Sequence, residues 1–148
     1  AVLAWALNLF PMPPYDQVAN VDHLMNSIGF KLDPTEALNI LANPILRSPN
    51  ALDIFNRQVF AFHWRMVDFR VRPMAIDYEK MQVVCWFGQM DLSWATLEDR
   101  DLVIAGKPIS KADPNAVNVT GSIAAERHIA ANWLIGTSEV YSETDAST

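Results

Sequence analysis

The feature that most constrains this chain is the run from Pro49 to Pro73, in which neither glycine nor proline interrupts the pattern. Ser48 suits an N-cap, Pro49 suits the first helical position, and a helix ends at or just before the residue preceding a proline. The spacing therefore predicts one long helix over about 49–72. Leu52, Phe55, Val59, Phe62, Met66 and Phe69 recur at three- and four-residue intervals, and Ile54, Phe60, Trp64, Val67 and Val71 widen the stripe. Charge is confined to a narrow strip of Asp53, Arg57, Arg65, Asp68 and Arg72, with Asp53–Arg57 and Asp68–Arg72 as i,i+4 pairs. A helix apolar around most of its circumference belongs at the centre of a helical domain. His63 interrupts the apolar surface, flanked one turn away by Val59, Phe60, Met66 and Val67. Its ring is expected to be buried and to need hydrogen-bond partners from another segment.

A second long helix is expected over about 114–135, opened by Asp113-Pro114 and closed by Gly136 as its C′ residue. Gly121, Ala124, Ala125, Ala130 and Ala131 give it a face that admits close approach, and the aromatic central helix is the obvious neighbour. Gly121 and Ser122 are poor helix formers, so irregular first turns are expected. Between the two helices, Asp99-Arg100 and Ala105-Gly106 punctuate short β-prone runs and predict a small hairpin over about 95–109.

The remaining segments are short. Ala1–Phe10 reads as a helix entered partway, which suggests the C-terminal portion of a longer protein, and Pro11-Met12-Pro13-Pro14 makes a stiff connector. Asn20 caps a helix through Ile28 ended by Gly29. Asp33-Pro34, with Glu36 at the capping-box position, starts another to about Ala42, and Ile76–Cys85 a third, closed by Trp86-Phe87-Gly88. The expected fold is mainly α: a single helical domain over 1–136, with an acidic, mobile tail over 137–148.

With 148 residues, half of them hydrophobic, the chain can bury a sizeable core. A net charge of −6 and a pI near 4.9 argue against nucleic acid or an anionic membrane as partner. The one cysteine, Cys85, excludes an internal disulfide framework and suits a reducing, cytoplasmic setting; its neighbours Val84 and Trp86 make it a small hydrophobe rather than an activated thiolate. No apolar run reaches the length of a membrane span.

The candidate catalytic residues are His63, Glu126, Arg127 and His128. The candidate binding residues are Trp64, Asp68, Arg70, Asn132 and Trp133. His128 and Asn132 share a helix face, with Ala124 and Ala131 flanking His128, whereas Glu126 points elsewhere. If that face meets the central helix, His63 and His128 approach each other. HxxxH, HExxH, paired-cysteine, GxSxG and glycine-rich phosphate patterns do not occur, so neither a metal nor another cofactor is expected.

These residues carry a resemblance. Leu3-Ala4-Trp5-Ala6-Leu7 with the proline-rich segment and Val21-Asp22, Leu46-Arg47, Phe62-His63-Trp64 with Asp68 and Arg70, and Glu126-Arg127-His128 with Asn132-Trp133-Leu134 resemble a bacterial family known as domain of unknown function 4272. The segment from Cys85-Trp86-Phe87-Gly88 to Pro108-Ile109 looks like an insertion of one branch. Phe69-Arg70 stands where relatives usually have Ala-Arg, and Ile129 replaces a commoner aromatic or polar residue. The resemblance implies longer relatives with more helix upstream, and no particular activity. Two functions remain open: a non-catalytic module that binds another protein, and a hydrolase-like enzyme, metal-assisted or not, with His63 or His128 as general base beside Glu126 and Arg127.

Overall fold

A computed structural model describes residues 1–29, 34–84 and 90–148, and within its helices leaves aside the side chains of residues 36, 41 and 82–84. The expected cap at Asp33, the Glu36 side chain, Cys85 and the closing Trp86-Phe87-Gly88 lie outside the described residues. Six α-helices occur among those described: α1 Val2–Ala6, α2 Val21–Ser27, α3 Pro34–Ala42, α4 Pro49–Val71, α5 Tyr78–Val84 and α6 Pro114–Leu134. Three short strands, β1 Leu97–Glu98, β2 Asp101–Ile104 and β3 Lys107–Pro108, lie between α5 and α6. None of the described helices is long and apolar enough to cross a membrane.

The long helix α4 packs on α6, and local chemistry sets the ends of both. Ser48 Oγ accepts the Ala51 amide at 3.3 Å, and the Asp113 carboxylate accepts the amides of Asn115 and Ala116. Ala124 and Ala131 on α6 are sealed, which lets the backbones approach, and Ala124 shares its core cluster with Phe62 and Met66 of α4. The irregular first turns expected of α6 do not occur. It is continuous through Gly121 and Ser122, because packing outweighs intrinsic propensity.

The core has two lobes. One gathers Phe62, Met66, Tyr78, Leu102, Ile104, Ile109 and Ala124; the other gathers Val2, Phe55, Val59, Ala130 and Ala131. Trp94 packs against both and meets Phe55 edge-on at 5.6 Å.

The expected hairpin is a three-stranded antiparallel meander in the order β1-β2-β3. Both of its turns have two residues at positive φ, Asp99 and Arg100 at 52° and 67°, then Ala105 and Gly106 at 49° and 76°. Such turns match the twist of the strands they join. Leu97 pairs with Leu102 and Val103 with Pro108. Tyr15 from the proline-rich connector donates its hydroxyl to the Val103 carbonyl at 2.5 Å, and Asp16 accepts the Ala105 amide at 2.9 Å. The connector is thereby bonded to the sheet.

Two expectations need correction. The first helix stops at Ala6 rather than Phe10: Asn8 takes the left-handed conformation at φ 60°, and the Leu9 amide returns to the Ala4 carbonyl, a Schellman ending with asparagine in place of glycine. Helix α5 begins at Tyr78 rather than Ile76, because the Ile76 amide donates to Asp101 at 3.1 Å. Two members of the charged strip of α4 lie inside the fold. Arg65 is 0% exposed and Asp68 is 9% exposed.

Candidate functional site

His63 and His128 meet where α4 crosses α6. Their Nδ1 atoms are 3.0 Å apart and their rings are set edge to face, while Phe60 lies edge-on to His128 at 5.6 Å. His128 is buried and His63 half-buried, so the expectation of a fully buried His63 is corrected in degree: one side of its ring borders a cleft.

Burial lowers the His63 pKa, and the Arg70 charge lowers it further. Burial, then His63, brings His128 down to about 4, against smaller opposing contributions from Asp145 and a hydrogen bond to the Ala146 backbone. Both rings are neutral near pH 7, so one Nδ1 must donate and the other accept. The one proton between the two Nδ1 atoms belongs to either ring, according to the tautomer.

The cleft beside His63 has a volume of about 740 Å³ and lies between the C-terminal half of α4, the turn at Ile109–Lys111 and the N-terminal half of α6. Met66, Val67, Phe69, Ile109, Val117 and Ala125 give it apolar walls, with Ser110, Asn118 and Ser122 as neutral polar groups. Its ionisable lining consists of His63 and Arg70. Arg57 pairs with Asp53, and Arg65 and Arg72 both pair with Asp68, but Arg70 has no ion pair among the described residues.

The other candidates are dispersed. Glu126 is exposed and, with Arg127, lines a second groove of about 570 Å³ that includes Leu3, Val18, Val119 and Tyr141 and meets the cleft at Ser122. Arg127 is 5% exposed, and its guanidinium donates to the carbonyls of Pro13, Pro14 and Gln17 at 3.3, 3.1 and 2.9 Å. Burial lowers its pKa to about 10, which leaves it charged at neutral pH. It ties the proline-rich connector to α6. Asn132 accepts from Asn56 at 2.7 Å and donates to the Asp145 carbonyl at 2.8 Å, while Trp133 meets Tyr141 edge-on at 5.7 Å. These contacts join the tail to α6. Trp64 stacks nearly parallel to Tyr78 at 6.2 Å.

Asp68 belongs to a buried ionic cluster centred on Arg65. Arg65 grips Asp101 with Nε at 2.7 Å and a terminal nitrogen at 2.6 Å, and reaches Asp68 at 2.9 Å and the Met74 carbonyl at 2.9 Å. Asp101 also accepts the amides of Ile76 and Leu102, and Asp68 takes Arg72 on its outer oxygen. Asp101 is the important polar residue that sequence reasoning missed. The one available signal was a carboxylate directly preceding Leu102-Val103-Ile104, where an apolar residue would complete a buried strand. Among the described residues, no group of three or more His, Cys, Asp or Glu side chains converges as a metal site.

No protein-family model, curated protein or solved structure matches the chain.

Proposed function

We propose that this protein is a non-catalytic binding module that engages another protein through the cleft between α4 and α6. One observation carries the reading. Arg65, Asp68, Arg127 and His128 are already bonded within the fold, whereas the cleft offers a mostly apolar wall edged by neutral hydrogen-bonding groups and one cation that has no ion pair among the described residues. Binding sites are typically concave, largely apolar and oriented by a few polar groups, and this cleft lies within their usual size range. The proposal includes a cytoplasmic setting, in keeping with the acidic balance and single cysteine, and kinship with the bacterial family named above.

The test is a photo-crosslinking residue at Asn118, exposed on the cleft wall. It is expected to capture a discrete protein in cells of the source organism, and capture is expected to fail when Gly121→Leu fills the cleft. Capture that persists in the filled variant would overturn the reading.

A specific observation also favours the hydrolase-like alternative. His63 borders the cleft, and burial lowers its pKa so that the ring is neutral at pH 7, as a general base must be. Against it, Glu126 stands in another groove and Arg127 is held by three carbonyls.

A further inference from the structure

Resting on that reading, we propose that the cleft recognises the C-terminal end of a partner polypeptide, with the terminal carboxylate on Arg70 and apolar side chains against Met66, Val67, Phe69 and Val117. The argument begins with charge. The protein carries −6 overall, yet the ionisable lining of this cleft is one permanent cation and one neutral imidazole. A carboxylate arriving there meets no like charge in the lining, and it meets the one arginine of α4 that forms no ion pair among the described residues. The planar guanidinium fork suits a carboxylate, which it can bind through two parallel hydrogen bonds.

The walls narrow the class further. A plain acyl chain would need only apolar contacts. Here Ser110 and Asn118 lie among the apolar side chains, with hydroxyl and amide groups that can donate to peptide carbonyls, while Ser122, whose hydroxyl donates to the Asn118 carbonyl, can accept from a peptide N–H. His63 stands two helical turns from Arg70 on the same face of α4, and its ring adds a polar group to the cleft further back along the bound segment. An apolar peptide with a free C-terminus satisfies all three sets of groups. Capture of a chain-terminal carboxylate is an established mode of peptide recognition.

The experiment titrates the whole protein with an acetylated valine-leucine-valine tripeptide as the free acid and as its C-terminal amide, followed by amide chemical shifts. The free acid is expected to shift residues 66–70, 109–112 and 117–122 saturably, and the amide to bind on the order of tenfold more weakly, about 1.4 kcal/mol. Arg70→Gln, a change at an exposed position, is expected to erase that preference. Equal binding of acid and amide by the unaltered protein would overturn the carboxylate proposal while leaving a cleft that binds peptides. Octanoate binding more tightly than the free-acid tripeptide would overturn the peptide assignment in favour of an acyl acid. Mass spectrometry of the same samples tests the reading beneath: cleavage of the tripeptide would overturn the non-catalytic function without touching the carboxylate preference.

Discussion

At the scale of the residue, Arg65 exchanges the hydration of a full charge for five hydrogen-bond donors arranged in a plane. Removing such an ion from water costs several kcal/mol, and the cost is offset only by close, complete pairing. Asp101 takes two of its N–H groups, Asp68 a third, and the Met74 carbonyl shares one nitrogen. Arg65→Met would leave Asp101 buried without a cation and Asp68 paired only with the exposed Arg72, and is expected to cost about 3–5 kcal/mol in urea denaturation. A loss below about 1 kcal/mol would show that Asp68 and Asp101 find water or another partner. None of this was legible in the sequence. Arg65 sits three residues before Asp68 and beside other charges, a pattern that usually marks a solvated helix face. The partner that decides its burial lies 36 residues further on.

At the scale of the element, the two long helices were legible because proline and cap residues mark their starts and apolar spacing marks their faces. The three strands were not individually legible, since two of them have two residues each, shorter than any periodicity. Their turns were, because Asp99-Arg100 and Ala105-Gly106 carry the punctuation themselves. Within α6, Gly121 makes a test of packing against propensity. A Cβ built there would meet Met66 Cε at 3.9 Å, an ordinary contact. Gly121→Ala is therefore expected to stabilise the protein by roughly 0.5–1 kcal/mol. One turn along, Ala124 has no exposed surface, and Ala124→Leu is expected to cost about 1–3 kcal/mol through overpacking. Thermal melts of the two variants should move in opposite directions; the same direction for both would refute this account of the helix interface.

At the scale of the whole molecule, the histidine pair couples acidity to the union of α4, α6 and the tail. Phe60, His63, Asp145 and the Ala146 backbone surround His128, and burial dominates its electrostatics. Its folded pKa of about 4 lies below the roughly 6.5 expected of an unfolded histidine, so between those values the unfolded chain binds more protons. Stability must then rise with pH across that window, fall as pH drops through it, and lose on the order of 3 kcal/mol by its lower end. His63, also lowered, contributes in the same direction. Urea midpoints at pH 4.5 and 7 should differ strongly in the natural protein and less in His128→Gln; equal differences would remove the pair from the acid response. The meeting of the two histidines was legible, because Ala124 and Ala131 mark the face of α6 that seats against α4. The cleft was not, because its third wall is the turn at Ile109–Lys111, which no spacing in either helix foretells.

The Arg65–Asp101 grip also bears on which fold the sequence chooses among near neighbours. Strands this short have few backbone bonds with which to fix their alignment, and Leu102, Val103 and Ile104 could trade places with little change in apolar burial. A slip of one residue would turn Asp101 to the opposite face and strand a cation in the core. The ion pair thus acts as an address label for β2, rejecting misalignments that hydrophobicity alone would accept. Replacing both partners with apolar residues, Arg65→Met with Asp101→Leu, should leave the helices folded yet give residues 97–108 more than one set of amide resonances. A single set would mean that the two turns fix the alignment unaided.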